Sequence, residues 1–184
     1  MYYAPYRCTC PYSYYVNAPL TTYGTQPGYF HTPYASQYGY GLRSESYPIV
    51  LKDYGKQPFV VNIEEATKQN NTFRTAIWTG DNLQVTVMSI GVGEDIGLEI
   101  HPTVDQFLRI EEGQGLVQMG DSRDNLNFQT RVYDDFAIMV PAGKWHNLTN
   151  IGDSPLKLYT IYAPPEHPFG TVHQTKADAM AAED

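Results

Sequence analysis

The chain has 184 residues, with 12 lysine and arginine residues against 20 aspartate and glutamate residues and a net charge of −8. This length suffices for one domain with a substantial core, and the lack of any basic cluster argues against nucleic acid or anionic membranes as partners. No apolar stretch reaches the roughly eighteen residues that a bilayer crossing needs, and the amino terminus lacks the apolar centre of a secretory signal. We therefore expect synthesis without a signal peptide and retention in the cytoplasm.

The first segment, residues 1–47, is rich in tyrosine and poor in aliphatic residues. It holds twelve of the sixteen tyrosines, and its only acidic or basic residues are Arg7, Arg43 and Glu45. Such a segment cannot form a core alone, whereas spaced tyrosines offer rigid contact surfaces with a hydrogen-bonding tip. We expect an irregular arm that is extended or disordered unless it assembles with other copies. The sequence leaves disorder and assembly as open alternatives.

The two cysteines of the chain, Cys8 and Cys10, lie in this arm. Two thiolates are too few for a structural zinc site, and a disulfide between positions two apart would be strained. They are therefore either free thiols or the donors of intermolecular disulfides. In composition the arm resembles the tyrosine-rich, cysteine-containing tails of bacterial spore-coat proteins, and this resemblance implies deposition on a spore surface.

After Pro58 the chain consists of short segments of strand character separated by turn residues. The pattern predicts a first strand at 59–63 and a short helix at 62–69 that Asn62 caps. It then predicts nine strands, at 73–79, 83–90, 97–101, 106–111, 115–119, 128–133, 136–140, 146–150 and 156–162. Many short strands with Gly- and Asp-rich turns indicate an all-β antiparallel sandwich or barrel.

Residues 141–150 carry a compact motif, Pro-Ala-Gly-Lys-Trp-His-Asn-Leu-Thr-Asn. Pro141 and Gly143 end the apolar run at 136–140 and force a tight turn into the next strand. His146 therefore emerges on a defined face of that strand, and Trp145 is expected to face the opposite side and to pack externally.

About forty residues earlier, Glu99 and His101 stand two positions apart. Strand side chains alternate, so these two share a face, and the turn at 102–105 can bring Gln106 back beside them. Glu99, His101, Gln106 and His146 are thus the predicted ligands of one divalent metal ion. Two histidines and one carboxylate with other positions open are typical of non-haem iron(II) sites. Oxygen donors favour Fe or Mn, with Zn and Ni as alternatives.

These stretches resemble the two motifs of the cupin family, Gly-x5-His-x-His-x(3,4)-Glu-x6-Gly and Gly-x5-Pro-x-Gly-x2-His-x3-Asn. The second motif is complete at 141–150, except that Asp135 stands at its leading glycine. In the first motif, Glu99 replaces the first histidine, His101 is the second, Gln106 replaces the glutamate, and the closing glycine is present at the expected spacing, at position 113.

The resemblance covers roughly residues 58–170 and implies a double-stranded β-helix, the cupin jelly-roll barrel. We place the barrel at 48–175, after the arm and before an acidic carboxyl-terminal tail at 176–184. Small single-domain cupins of this kind are often grouped with mannose-6-phosphate isomerases. Family members usually pair through an exposed sheet, which implies a homodimer as the smallest unit, with higher-order assembly through residues 1–47.

The exchange of ligand types leaves the formal charge of the site unchanged. The usual cupin site has three neutral imidazoles and one carboxylate, and this one would have two imidazoles, one carboxylate and one amide. An unpaired carboxylate inside a barrel would cost several kcal/mol, and a central cation removes that cost. The alternative is a barrel that has lost its metal and keeps Glu99 and Gln106 as ordinary polar residues.

Three functions are compatible with this site. The first is a metal-dependent oxygenase or isomerase that acts on a small polar substrate; the second is a self-assembling shell protein that uses the barrel as a building block; the third is a non-catalytic sensor of a small ligand. No nucleophile motif or phosphate-binding loop is present, so catalytic residues stay unassigned and no organic cofactor is expected.

Several other polar residues have a simpler expected role. Tyr159 and Tyr162 face opposite ways, so at most one can line the pocket as an acid or hydrogen-bond donor, and Arg74 is a similar candidate. His167 and His173 are expected to face solvent or to bond within turns.

The paired acidic residues at 111–112 and 134–135 are expected to be solvated turn charges. Adjacent side chains on extended backbone point apart, which disfavours an acid/base couple.

Overall fold

The structure is a computed structural model that describes residues 48–183, so the expectations for the arm at 1–47 and its two cysteines lie outside the described residues. The elements follow in this order: α1 (Ile63–Gln69), β1 (Arg74–Thr79), β2 (Gln84–Ile90), β3 (Glu99–Ile100), β4 (Asp105–Glu112), β5 (Gln114–Gly120), β6 (Phe128–Tyr133), β7 (Ala137–Val140), β8 (Trp145–Asn150), β9 (Leu156–Ala163), β10 (Val172–His173) and α2 (Lys176–Glu183). In this part of the chain, no helix is long and apolar enough to cross a membrane.

The strands form two antiparallel sheets. The larger sheet has the order β10-β1-β2-β9-β4-β7, and the smaller has the order β3-β8-β5-β6. From β3 to β9 the chain crosses repeatedly between the sheets, because β4, β7 and β9 lie in the larger one and β3, β5, β6 and β8 in the smaller one. This winding is that of a double-stranded β-helix, and it confirms the predicted all-β jelly-roll fold.

The interior of the barrel has two ends of different chemistry, although the same strands build both. The apolar end consists of inward-facing aliphatic side chains on β2, β4 and β9, namely Met88, Ile90, Ile110, Leu156 and Leu158. The polar end consists of buried side chains further along the same strands, namely Gln84, Thr86, Gln106, Thr160 and Tyr162. Both sets point inward because strand side chains alternate between the two faces of a sheet. The two ends differ only in where their residues lie along each strand.

The outer face of the larger sheet carries a row of apolar side chains across five strands, which we call the outer row. Its members are successive cross-strand neighbours, in the order Trp78, Val85, Ile161, Phe107 and Met139. The first four are half-buried and Met139 is 65% exposed. Such a face is suited to contact with another surface.

The start of the barrel corrects one prediction and confirms another. The strand predicted at 59–63 does not form: the Phe59 ring stacks on Tyr54 with centroids 4.1 Å apart, and Val60 is 97% exposed. The segment instead lies beside the outer face of the larger sheet, where Phe59 and Val61 line a cavity together with Trp78. The helix is confirmed, and the side chain of Asn62 accepts a bond from the N–H of Glu65 at 3.3 Å.

The carboxyl-terminal segment is more ordered than the sequence pattern indicated. β10 pairs its two residues with the start of β1, and a strand this short has no detectable period. The segment expected as an acidic tail contains helix α2, which a reciprocal cap begins: Thr175 N–H donates to Asp178 Oδ2 at 2.9 Å, and Asp178 N–H donates to Thr175 Oγ1 at 3.2 Å. Lys176 Nζ then contacts Asp95 Oδ1 at 2.6 Å and holds the helix against the barrel.

Candidate metal centre

Three potential ligands meet where β3 and β8 pair. Glu99 on β3 lies directly opposite His146 on β8, and His101 follows the end of β3. His101 Nε2 and His146 Nε2 lie 3.3 Å and 3.2 Å from the same carboxylate oxygen, Glu99 Oε1. The imidazole centroids are 5.3 Å apart. The structure therefore gathers these three predicted ligands into one cluster that could hold a metal ion.

The turn between β7 and β8 fixes this arrangement. Gly143 has a φ of 78°, in the left-handed region that favours glycine. Its N–H donates to the carbonyl of His101 at 2.8 Å, and the N–H of Lys144 donates to the carbonyl of Pro141 at 3.2 Å. The Pro-x-Gly spacing thus aims His146 inward and binds the backbone of His101 to the same turn.

Asp135, where the sequence departs from the second cupin motif, lies in the turn between β6 and β7 and keeps the backbone conformation of that turn. Asp135 has a φ of 69°, and among residues 48–183 it is the one non-glycine residue with a positive φ. Aspartate tolerates this conformation better than most residues. Its side chain also contacts the guanidinium of Arg109. The substitution therefore needs no change of fold.

The last motif residue, Asn150, has a structural role. Its Nδ2 donates to the carbonyls of Ile90 at 2.9 Å and Ser154 at 2.8 Å, and its Oδ1 accepts from the N–H of Gly152 at 2.9 Å. These bonds satisfy backbone groups at the end of β2 and in the turn between β8 and β9. Asn150 is therefore not available as a ligand.

Each imidazole is held through its second nitrogen. His146 Nδ1 lies 3.0 Å from the carbonyl oxygen of Lys144, which can only accept, so Nδ1–H donates there and Nε2 is the nitrogen that faces the cluster. His101 Nδ1 lies 3.1 Å from Glu166 Oε1, and a carboxylate again only accepts. Each Nε2 is therefore the nitrogen that faces Glu99, and it can bind a metal ion once it has lost its proton.

The three groups polarise one another strongly. Burial alone would raise the pKa of Glu99, but its contacts with His101 and His146 outweigh burial and lower the pKa to about 2. Burial works to lower the pKa of His101, and the carboxylates of Glu99 and Glu166 outweigh it, so this pKa lies above its usual value. Glu99 is thus an anion at every physiological pH, as a metal ligand must be.

The donor set fits a divalent cation. Metal–ligand bonds of about 2.0–2.2 Å at roughly right angles place neighbouring donor atoms about 3 Å apart, close to the observed 3.2 Å and 3.3 Å. His146 Nε2 is buried and has no aligned hydrogen-bond partner among the described residues. A cation between these atoms would satisfy that nitrogen and balance the buried carboxylate.

Gln106, the fourth predicted ligand, lies on β4 at the polar end and is 3% exposed. Its Nε2 donates to Thr160 Oγ1 at 3.3 Å, and its Oε1 has no hydrogen-bond partner among the described residues. An amide oxygen with free lone pairs is chemically suited to a weak ligand. Its coordination of the metal stays a prediction.

A cavity of about 340 Å³ opens beside two of the three proposed ligands, Glu99 and His101. Glu99 and His101 form one wall, and the loop after β9 forms another with Glu166 and His167. The cavity is large enough for a small molecule. The loop was not among the predicted site residues, because nothing in the sequence pattern shows that it folds back across the ligands.

The prediction that His167 and His173 face solvent or bond within turns is wrong. His167 Nε2 and His173 Nδ1 are buried and have no hydrogen-bond partners among the described residues, and both side chains line the cavity. Burial, together with the positive charge of Arg74, lowers the pKa of His167 to about 3 and lowers that of His173. Both imidazoles are therefore neutral at pH 7.

The two tyrosines of β9 face opposite ways, as predicted. Tyr162 points inward, is fully buried, and packs edge-on against His101 with centroids 5.7 Å apart. Burial raises the pKa of its hydroxyl to about 12, so the group stays protonated. Tyr159 lies on the outer face beside Phe107, at 6.1 Å. Arg74 is buried near the polar end, and its charge acts on Tyr162.

One of the predicted solvated charges is buried. Glu111 is 3% exposed and lies 3.1 Å from Arg109 Nη1, and burial raises its pKa. The pairing of β4 with β9 shifts register between Ile110 and Glu112, and this bulge breaks the alternation that the prediction assumed. Glu112 is exposed, as expected.

Comparison with known proteins identifies the family. A cupin domain model matches residues 86–162. The uncharacterised protein YrkC of Bacillus subtilis is 62% identical over 191 aligned residues, which cover all of both chains. The crystal structure of BH2720 from Bacillus halodurans is 70% identical, with a TM-score of 0.70, and the match covers 71% of this chain and 98% of that one.

A more distant structure supports the fold alone. An uncharacterised Klebsiella pneumoniae protein with a double-stranded β-helix domain is 16% identical, with a TM-score of 0.50, and the match covers 65% of this chain and all of that one. The family model spans the ligand positions at 99, 101 and 146, and the fold and the donor cluster agree with it. The chain therefore contains a cupin domain, which the family model places at residues 86–162.

Proposed function

We propose that this protein is a divalent-metal cupin whose ion, Fe or Mn in preference to Zn or Ni, is held by Glu99, His101 and His146 with Gln106 as a weak fourth ligand. The observation that carries the proposal is the convergence of both Nε2 atoms on one carboxylate oxygen at 3.2–3.3 Å. Three ligands on one side leave other positions open for substrate or dioxygen. We propose an oxygenase or isomerase reaction on a small polar molecule.

The residues around the cluster support this use. When bound, the ion would supply Lewis acidity and a template for the substrate. Glu99 would neutralise part of the cation charge, and metal binding would displace the protons from the two Nε2 atoms so that the imidazoles could coordinate the ion. Tyr162 limits the rotation of the His101 ring by packing against its edge, and the adjacent cavity gives a substrate access to the open side of the cluster.

Metal analysis tests the proposal directly. We expect about one divalent ion per chain in the wild type after exposure to Mn(II) and buffer exchange, and almost none in a His101→Ala/His146→Ala variant. The matched control is His167→Asn/His173→Asn, which removes two imidazoles from the same cavity and leaves the proposed ligands in place. Equal metal content in the wild type and the ligand variant would reject the proposal.

Activity assays then separate an enzyme from a binding protein. Substrate-dependent oxygen uptake or isomerisation should disappear in His146→Ala and persist in Glu112→Ala, which changes an exposed glutamate at the end of β4. Saturable binding of a small molecule without product would favour the sensor.

A second candidate function is architectural, and the match to YrkC favours it, because that match extends over the whole chain, including residues 1–47. The relative therefore has a segment that aligns with the tyrosine-rich residues 1–47, and spaced tyrosines suit an assembly role. Removal of residues 1–47 should then convert large particles into small oligomers in a light-scattering measurement. If both forms are equally small, the architectural role is excluded.

A further inference from the structure

We propose that Glu166 is a positioning residue of the metal centre, which orients His101 for coordination and which the buried side chain of Gln84 and the half-buried side chain of Asp53 hold in place. This inference rests on the proposed function, because it concerns the same metal. Glu166 belongs to neither cupin motif and lies outside the span of the family model.

The contact with His101 is specific to one nitrogen. Glu166 Oε1 lies 3.1 Å from His101 Nδ1, while His101 Nε2 points to Glu99 Oε1 at 3.3 Å. The His101 side chain is 8% exposed and that of Glu166 is 31% exposed, so the contact seals the imidazole from solvent. A carboxylate on Nδ1–H fixes both the tautomer and the plane of the ring.

The two ligand imidazoles are held by different means. His146 is oriented by a backbone carbonyl, that of Lys144, within its own turn. His101 has no such local acceptor in the described structure and is oriented by a side chain 65 positions further along the chain. The orientation of His101 therefore depends on how firmly the loop after β9 is anchored.

A buried amide clamps this loop next to Glu166. Gln84 is fully buried on β2; its Nε2 donates to the carbonyl of His167 at 2.9 Å, and its Oε1 accepts from the N–H of His167 at 3.0 Å. The side chain thus pairs with the backbone as a neighbouring strand would. Two bonds to one residue leave the adjacent Glu166 little freedom to move.

A second anchor fixes the far end of the loop and joins the first. Asp53 Oδ2 accepts from the N–H of Gly170 at 2.9 Å and from Thr79 Oγ1 at 2.6 Å. Gln84 Nε2 in turn lies 2.9 Å from Thr79 Oγ1. One hydrogen-bonded network therefore runs from Asp53 through Thr79 and Gln84 to the loop, and it spans three segments far apart in sequence.

A purely structural role for Glu166 is the competing explanation, and energetics distinguish the two. A partly exposed ion pair contributes little to folding stability. Loss of an outer partner of a metal-binding histidine typically costs about 10- to 100-fold in metal affinity. A positioning residue should therefore affect metal affinity strongly and folding weakly.

The experiment measures Co(II) binding to the full chain by visible absorption. It compares the wild type with Glu166→Gln, Glu166→Ala and the control Glu112→Ala. The control changes an exposed glutamate at the end of β4. We expect Glu166→Ala to weaken binding by about 10- to 100-fold and to shift the absorption bands. Glu166→Gln keeps an acceptor for Nδ1–H and should fall between alanine and the wild type. Glu112→Ala should match the wild type.

Thermal unfolding of the metal-free variants shows whether each one folds. The inference is overturned if Glu166→Ala binds Co(II) as tightly as the wild type with unchanged absorption bands, or if Glu166→Gln binds as weakly as Glu166→Ala. In either case the wild type still binds, so the proposed metal function stands. If the wild type itself binds no Co(II), the proposed function fails and the inference fails with it.

Discussion

The polar and apolar ends of the barrel interior are built from the same three strands, and their difference shows where stability and function reside. At the apolar end, Met88, Leu158 and Ile110 are cross-strand neighbours, each at most 1% exposed, and burial of such side chains is the main favourable term in folding. At the polar end, the corresponding inward positions carry groups whose burial costs free energy unless they are satisfied.

That cost is visible in particular atoms. Thr86 Oγ1, Gln106 Oε1 and Tyr162 Oη are buried without hydrogen-bond partners among the described residues. A protein selected for stability alone would fill these positions with aliphatic side chains. Buried polar atoms without partners are typical of functional sites. We therefore expect the apolar end to stabilise the fold and the polar end to carry the proposed metal-dependent function.

The largest expected effect is at the apolar end. Leu158→Ala should lower the free energy of unfolding by about 3 kcal/mol, because the cavity left behind adds to the lost transfer energy. Urea denaturation measures this loss, and the metal content should stay at the wild-type value. The exposed Met139→Ala is the control, with a change within about 0.5 kcal/mol. A Leu158→Ala protein that folds but binds no metal would contradict the separation of the two ends.

The polar end should contribute stability only when metal is bound. At a Mn(II) concentration of about 100 times the dissociation constant, the free energy of unfolding should rise by about 2.7 kcal/mol. Leu158→Ala should gain the same increment from its lower baseline, and His101→Ala/His146→Ala should gain none. An equal rise in the ligand variant would place the metal elsewhere.

His167 should make the polar end sensitive to acid. Its pKa is lowered from 6.5 to about 3 on folding, so the unfolded chain binds a proton that the folded chain rejects. The contribution of His167 to the free energy of unfolding is therefore fully present above pH 6.5. It is lost as the pH falls from 6.5 towards 3, because protons bind to the unfolded chain first. Between pH 6.5 and pH 4.5, the wild type should lose at least about 1.4 kcal/mol more than His167→Asn.

Chemical denaturation of both proteins across this range measures the difference. Asparagine leaves the backbone bonds to Gln84 in place, so the comparison isolates the imidazole. Parallel losses in the two proteins would show that another group is responsible.

Substitutions in the outer row should have the smallest effect on folding. Their effect on assembly should be clear. The dimer that we expect should use this surface, so Met139→Glu should convert dimers into monomers in sedimentation velocity while it changes stability by about 0.5 kcal/mol or less. Val92→Glu is the control, because Val92 is 57% exposed and lies outside the row. Monomers already present in the wild type would contradict the expected dimer.

The sequence pattern predicted most of the barrel because its signals are local. Turn residues and alternation located nine strands close to the bounds observed, and the Pro-x-Gly spacing aimed His146 inward. The prediction failed at 59–63, where the apolar residues suit a strand but the segment lies beside the outer face of the larger sheet and joins neither sheet. It failed again at Glu111, which a bulge turns into the interior.

The sequence by itself therefore determined the fold class, the inward faces of the strands and the residue types of the ligand cluster, because periodicity and turn chemistry act over a few residues. Only the tertiary structure decided that one carboxylate oxygen lies between two imidazoles and that Glu166 reaches His101. It also decided that His167 is buried beside them. These relations join segments up to 65 positions apart, and the pairing of strands and loops that creates them leaves no local pattern in the chain.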